Sequence, residues 1–285
     1  MHQICGRAKF SVGTPFILSG GDTAHLWSCR LTNMRSPVLA KMIVMAGTAV
    51  FAVTLGLAQD IATLVPQKIL FIGDSFTFWQ EGVYTHLERS AATANPPLRI
   101  TTGKATGGGA FLQRLWNQKE PRMAIQTGSY NVVVLQEDIP ETTVADFREY
   151  ARKFVREIRE NHGRPVLFMA WAYPKLGWIS MAEIARAHRD AATELNTELN
   201  VDVAPVGLAW KQASKQRPEI YLFGSDHEHP SIHGTYLATC VIYATVFGRD
   251  PTGLAYFPSG VTADEAAFLQ KIAWHSVQDY RAGRI

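Results

Sequence analysis

Beyond residue 58 the chain holds a single cysteine, Cys240; the other two, Cys5 and Cys29, lie ahead of it. No intramolecular disulfide can form within residues 59–285, and there are no paired cysteines at zinc-finger spacing. Charge of one sign is also scarce. The 28 basic and 25 acidic residues give a formal net charge of +3, too small and too scattered for a nucleic-acid-binding stripe. A long apolar run occurs only at Met42–Leu57, 16 residues against the roughly 20 that a membrane span needs. Neither a G-x-S-x-G elbow nor an H-E-x-x-H zinc motif is present. What is present is ample core material: 285 residues, 47% hydrophobic, without a linker or an internal repeat after residue 58.

The first 58 residues read differently from the rest. Residues 1–33 show no sustained period, which suggests a non-native or disordered extension. Then Arg35 and Lys41, the apolar run, and a small-x-small end at Gly56-Leu57-Ala58 compose a secretory signal starting at Met34. Cleavage after Ala58 would leave residues 59–285 as one domain, secreted or periplasmic and without a stable membrane span. An uncleaved membrane anchor is the alternative. Removing residues 1–58 takes away Arg7, Lys9, Arg30, Arg35, Lys41 and Asp22, leaving 23 basic against 24 acidic residues.

From Lys68 onward, short apolar runs alternate with amphipathic ones. Strands are expected at 68–73, 98–105, 131–137, 165–171 and 201–207. Helices are expected at about 144–160, 179–196, 231–247 and 262–281; Val144, Phe147, Ala151, Phe154 and Ile158, for instance, share one helical face. Strands apolar on both faces, separated by helices, predict an α/β fold: a parallel sheet with helices on both sides. In such folds ligands bind at the carboxyl ends of the strands.

The first strand, "KILFIG", ends there on Asp74 and Ser75. Either residue can cap the following helix. Ser75 can also be a nucleophile if a base and an orienting acid are supplied. Both occur in "SDHEHPSIHG", where Asp226 and His229 stand three apart, just before Pro230, a residue suited to a first helical turn. A turn of that length can bring the carboxylate to Nδ1 and leave Nε2 facing a hydroxyl. The same segment can equally be a polar helix start, with Asp226 as cap and the histidines solvated. A third reading takes His227, His229 and His233, with Asp226 and Glu228, as metal ligands of a metallohydrolase.

These blocks together resemble the SGNH, or GDSL, hydrolase family. "FIGDSFT" is similar to its first block, "ATGGGAFLQRLW" to its second and "DHEHPS" to its last. The third block is a variant, with Gln136 of "VVVLQEDIP" where most members have Gly-x-Asn-Asp. The resemblance runs from Lys68 to about Phe247 and implies a three-layer, flavodoxin-like sandwich around a five-stranded, mainly parallel sheet. It also implies a Ser75–His229–Asp226 triad that uses no cofactor or metal, and an oxyanion hole from Ser75, Gly109 (or Gly108) and Gln136. The implied substrate is a small-molecule or glycan ester, with O-acetylated carbohydrate foremost. A glycan-binding protein without catalysis is the alternative, and Glu137 and Asp138 are a rival functional polar pair. Asp74 is expected to serve local structure.

Other side chains carry weaker signals. Trp171, Tyr173 and Trp178 follow the fourth strand and can line a substrate pocket or fill core. Trp79 and Phe76 are expected to be packing residues, Cys240 a buried structural thiol, and His86, His162, His188 and His275 surface or capping residues.

Overall fold

The computed structural model describes residues 68–177, 179–196 and 201–284. The expectations for residues 1–33 and 34–58, and for Trp178, fall outside them.

Strand β1 (Lys68–Gly73) leads straight into a one-turn helix, α1 (Ser75–Phe78), followed by α2 (Val83–Ala92) and β2 (Thr101–Thr106). Helices α3 (Leu112–Asn117) and α4 (Lys119–Gly128) precede β3 (Val132–Glu137), and α5 (Val144–Glu160) connects it to β4 (Arg164–Met169). A 3-10 turn (Pro174–Leu176), α6 (Met181–Asn196), β5 (Asp202–Ala204), α7 (Val206–Gln216), α8 (Ile232–Phe247) and α9 (Ala263–Arg281) complete the order.

The five strands lie in the order β2-β1-β3-β4-β5, all parallel, as expected. Because successive side chains point to opposite faces, the sheet feeds two cores. Ile69, Phe71, Val132, Val134, Val166 and Phe168 pack with α2, α7, α8 and α9. Leu70, Ile72, Val133, Leu135, Leu167 and Met169 pack with α3 to α6 on the other side. Helix α8 is apolar all round and almost wholly buried, because α2 and α9 cover the side that the sheet does not. Among the described residues, no helix is long and apolar enough to cross a membrane.

Sequence and structure differ at several boundaries. β2 is an edge strand, polar and only partly buried, and starts at Thr101 rather than residue 98. β5 stops at Ala204, since Pro205 brings no N–H to a ladder and α7 begins at Val206. Pro230 stands ahead of α8 rather than in its first turn: Ser231 is the N-cap, accepting from the Gly234 N–H at 3.2 Å, and Pro230 bridges to Phe223.

The topology matters for the site. From β1 the chain moves outward to β2 and then returns to β3 on β1's other side, so the strand order reverses there. The carboxyl ends of β1 and β3 flank such a switch point, where open α/β sheets bind ligands.

Candidate active site

Asp74 and Ser75 divide the work that the sequence left ambiguous. Asp74 is the N-cap of α1, its Oδ1 accepting from the Phe76 N–H at 2.8 Å. Burial pushes its carboxyl up to about 6, against the Phe76 N–H and the nearby Gln136 amide, which draw it down. Ser75 is therefore free of capping duty. Its Oγ lies 2.9 Å from His229 Nε2, although 154 positions separate the two residues.

His229 is held from behind. Its Nδ1 is 2.6 Å from Asp226 Oδ2, while Asp226 Oδ1 accepts from the backbone N–H groups of His229 at 3.0 Å and Glu228 at 3.1 Å. Desolvation pushes the Asp226 carboxyl up, but the His229 ring and these two N–H groups outweigh it and hold it below the ordinary range. A carboxylate on Nδ1 fixes the proton there, so Nε2 is the acceptor facing the Ser75 hydroxyl.

The loop that carries Asp226 and His229 is tied at both ends. The Gly224 N–H donates to the His229 carbonyl at 2.7 Å, and His227 takes a left-handed φ of 61° that tightens the turn. From outside, Trp171 Nε1 donates to the Glu228 carbonyl at 3.1 Å, and Lys175 Nζ pairs with Glu228 Oε2 at 2.7 Å.

The proposed metal ligands do not converge. His227 Nδ1 meets the Tyr221 hydroxyl, His229 is engaged by Ser75 and Asp226, and His233 Nε2 lies 3.2 Å from Glu265 Oε2 on α9. No three His, Cys, Asp or Glu side chains among the described residues form a metal-holding group.

Gly109 lies in the exposed loop after β2 with φ +55°, and Gly108 beside it is also exposed. A Cβ at Gly109 would meet nothing, so the backbone conformation rather than space favours glycine there. Gln136, next to last in β3, is fully buried. Its Oε1 accepts from the Asp74 N–H at 2.7 Å and the Thr77 hydroxyl at 3.0 Å. Glu137 and Asp138, the rival pair, have inward partners: Glu137 Oε2 accepts from the Leu112 N–H at 2.9 Å, and Asp138 Oδ2 from the Tyr173 hydroxyl at 2.8 Å. Burial pushes each of these carboxyls up to about 8.

No family model matches the sequence, and no curated protein matches it either. Solved structures do. A DUF4886 family protein from Bacteroides uniformis superposes with a TM-score of 0.62 at 18% identity, over 74% of this chain and 95% of that one. A Slackia heliotrinireducens protein assigned to the SGNH hydrolases gives 0.52 at 21%, over 63% of this chain and 98% of that one. The chain has the SGNH hydrolase fold. A third structure of this kind, an acetylxylan esterase (Axe2) catalytic mutant from Geobacillus stearothermophilus, gives 0.53 at 16%, over 66% and 96%.

On this SGNH fold several side chains stand elsewhere than expected. Trp79 is not packing: it remains 40% exposed and its indole stacks on His229, ring centroids 4.2 Å apart and planes 22° apart. Trp79 is the C-cap of α1, four residues after Ser75, and the sequence carries no signal for this stack, which depends on where the distant His229 loop packs. Phe76 is buried as expected, between Trp171 and the edge of His229. Trp171 and Tyr173 are buried too, Trp171 stacked between Phe76 and Trp210, although both also border a cavity of about 460 Å³.

His86 and His188 are fully buried rather than superficial. His86 bonds the Gln80 carbonyl and the Tyr256 hydroxyl; His188 donates from Nδ1 to the Ile184 carbonyl at 2.9 Å, and desolvation lowers it to about 4. His162 and His275 are exposed, and Cys240 is buried with its thiol pushed up by desolvation to about 12.

Proposed function

We propose that the protein is a serine ester hydrolase in which Ser75 is the nucleophile, His229 the general base and Asp226 its orienting acid. The observation that carries this is the unbroken relay Ser75 Oγ, His229 Nε2, His229 Nδ1, Asp226 Oδ2, at 2.9 and 2.6 Å. Ser75 attacks the ester carbonyl as His229 takes its proton, and Asp226 stabilises the imidazolium. The imidazolium then protonates the departing alkoxide, and the acyl group leaves Ser75 when His229 activates water in the same way.

The developing oxyanion calls for donors beside Ser75. The backbone N–H groups of Ser75 and Gly109 and the Nε2 of Gln136 are the proposed set, and losing one such donor typically costs about 2.7–4 kcal/mol of transition-state stabilisation. Gln136 suits the part because its Oε1 is already occupied by Asp74 and Thr77, which leaves only donor capacity. The substrate we propose is a carboxylic ester, foremost an O-acetyl group on carbohydrate, supported by the acetylxylan esterase of like fold. Export directed by residues 34–58 belongs to the same proposal, supported by the basic residues, apolar run and small-x-small end of that segment.

Purified protein should turn over p-nitrophenyl acetate, and Ser75→Ala should lower kcat/KM at least about a thousandfold. Turnover that survives in Ser75→Ala would defeat the proposal.

A further inference from the structure

Trp79 faces two ways. Its backbone N–H donates to the Ser75 carbonyl at 2.8 Å, so it rides on the same helical turn as the nucleophile. Its indole lies flat on His229, while Phe76 meets the same imidazole edge-on at 5.9 Å and 86°. A side chain that served only the core would be covered, as Phe76 is at 2% exposure; Trp79 keeps 40%.

The backbone after Trp79 is built to hold it. Gln80, Glu81 and Gly82 have φ of 51°, 66° and 84°, a left-handed run that two successive non-glycine residues rarely adopt. The bend persists because its polar groups are taken up. Gly82 N–H donates to the Trp79 carbonyl at 2.9 Å, Thr85 Oγ1 to the Glu81 carbonyl at 2.8 Å, and Glu81 pairs with Arg89 at 3.0 Å. Beneath them the buried His86 donates from Nε2 to the Gln80 carbonyl at 2.7 Å, its tautomer consistent with Nδ1 accepting from the Tyr256 hydroxyl at 2.8 Å.

We infer that Trp79 is a positioning residue for His229: its indole face fixes the imidazole plane toward Ser75 and stabilises the positive charge the ring gains on taking the Ser75 proton. The inference rests on the triad reading above. An aromatic face attracts a cation far more than a neutral ring. The stabilisation therefore grows between ground state and transition state, and should appear in kcat rather than in KM.

The test compares Trp79→Leu, Trp79→Phe and Ser75→Ala on p-nitrophenyl acetate, with thermal midpoints measured for each. Trp79→Leu should lower kcat about three- to thirtyfold with KM within about twofold, and Trp79→Phe should restore most of the loss. If the leucine variant is unfolded at the assay temperature, Trp79→Met takes its place under the same criteria. Unchanged kcat in the aliphatic variant, a loss confined to KM, or a phenylalanine variant no better than the aliphatic one overturns the inference. Ser75→Ala separates the two levels. Its inactivity alongside a neutral aliphatic variant removes only the role of Trp79, whereas its activity removes the triad reading itself.

Discussion

Gln136 occupies the space that a side chain at Gly73 would need. A Cβ on residue 73 would stand 2.4 Å from Gln136 Oε1, 2.6 Å from Thr77 Oγ1 and 2.9 Å from Gln136 Cβ. The glycine of the "GDS" stretch is thus a steric requirement of the residue that anchors the strand-to-helix junction. Real Cβ contacts do not get so short, so Gly73→Ala must displace Gln136 and strip the Asp74 N–H of its acceptor. We expect a stability loss of about 1–3 kcal/mol by urea unfolding. Turnover should also fall at least about tenfold, because small misplacements of a reacting group weigh heavily on rate. A variant as stable and as active as the native chain would show that the junction tolerates a shifted Gln136.

Asp138 makes stability depend on pH in an unusual direction. Its carboxyl is buried and raised from 3.8 to about 8, with Asp74 rising to about 6 and Glu137 to about 8. A group raised on folding favours the native state fully below its unfolded value, and that contribution is lost as pH climbs through its folded value. The window is therefore pH 4 to 8, with stability falling as pH rises. His188, lowered from 6.5 to about 4, opposes this in the lower part of the window by destabilising the fold as pH drops from 6.5 towards 4. A difference measurement isolates Asp138. Asp138→Asn can still accept from the Tyr173 hydroxyl but cannot ionise. Its thermal midpoint relative to the native chain should rise with pH, reaching at least about 2 °C in its favour at pH 8. A gap that is the same at pH 5 and pH 8 would mean that Asp138 does not titrate in this window.

The parts of the fold legible in the sequence were those whose cause is local. β1, β3 and β4 are short apolar runs buried on both faces, and α5 shows a clean apolar stripe. Helix α2 was harder to read because its buried side includes His86 and Ser90 beside Val83 and Leu87. α3 bears only Leu112 and Leu115 inward, too few for a period to show. The candidate site was legible in part. Ser75, Asp226 and His229 were singled out by the joint resemblance of their blocks to the SGNH family, since a strand end and a three-residue spacing taken alone fit helix caps as well. The stacking of Trp79 on His229, the burial of His86 against Tyr256 and that of His188 were not legible: each depends on where a distant segment packs.

Trp171 offers the sharpest choice between scaffold and pocket. Its indole N–H holds the Glu228 carbonyl, next to His229, while its ring is stacked at 4.5 Å on Phe76 and 4.0 Å on Trp210. Trp171→Phe keeps an aromatic face in place but deletes the hydrogen bond and part of the buried ring, which together should cost about 2–4 kcal/mol of stability. If the indole N–H steadies the His229 loop, kcat should fall severalfold by the same factor for p-nitrophenyl esters of every acyl length, because the base serves all of them alike. If the ring instead lines the acyl site, the added space should alter KM and shift the preference among chain lengths. The ring's burial between two aromatic neighbours favours the first outcome, and a chain-length series on the purified variant decides between them.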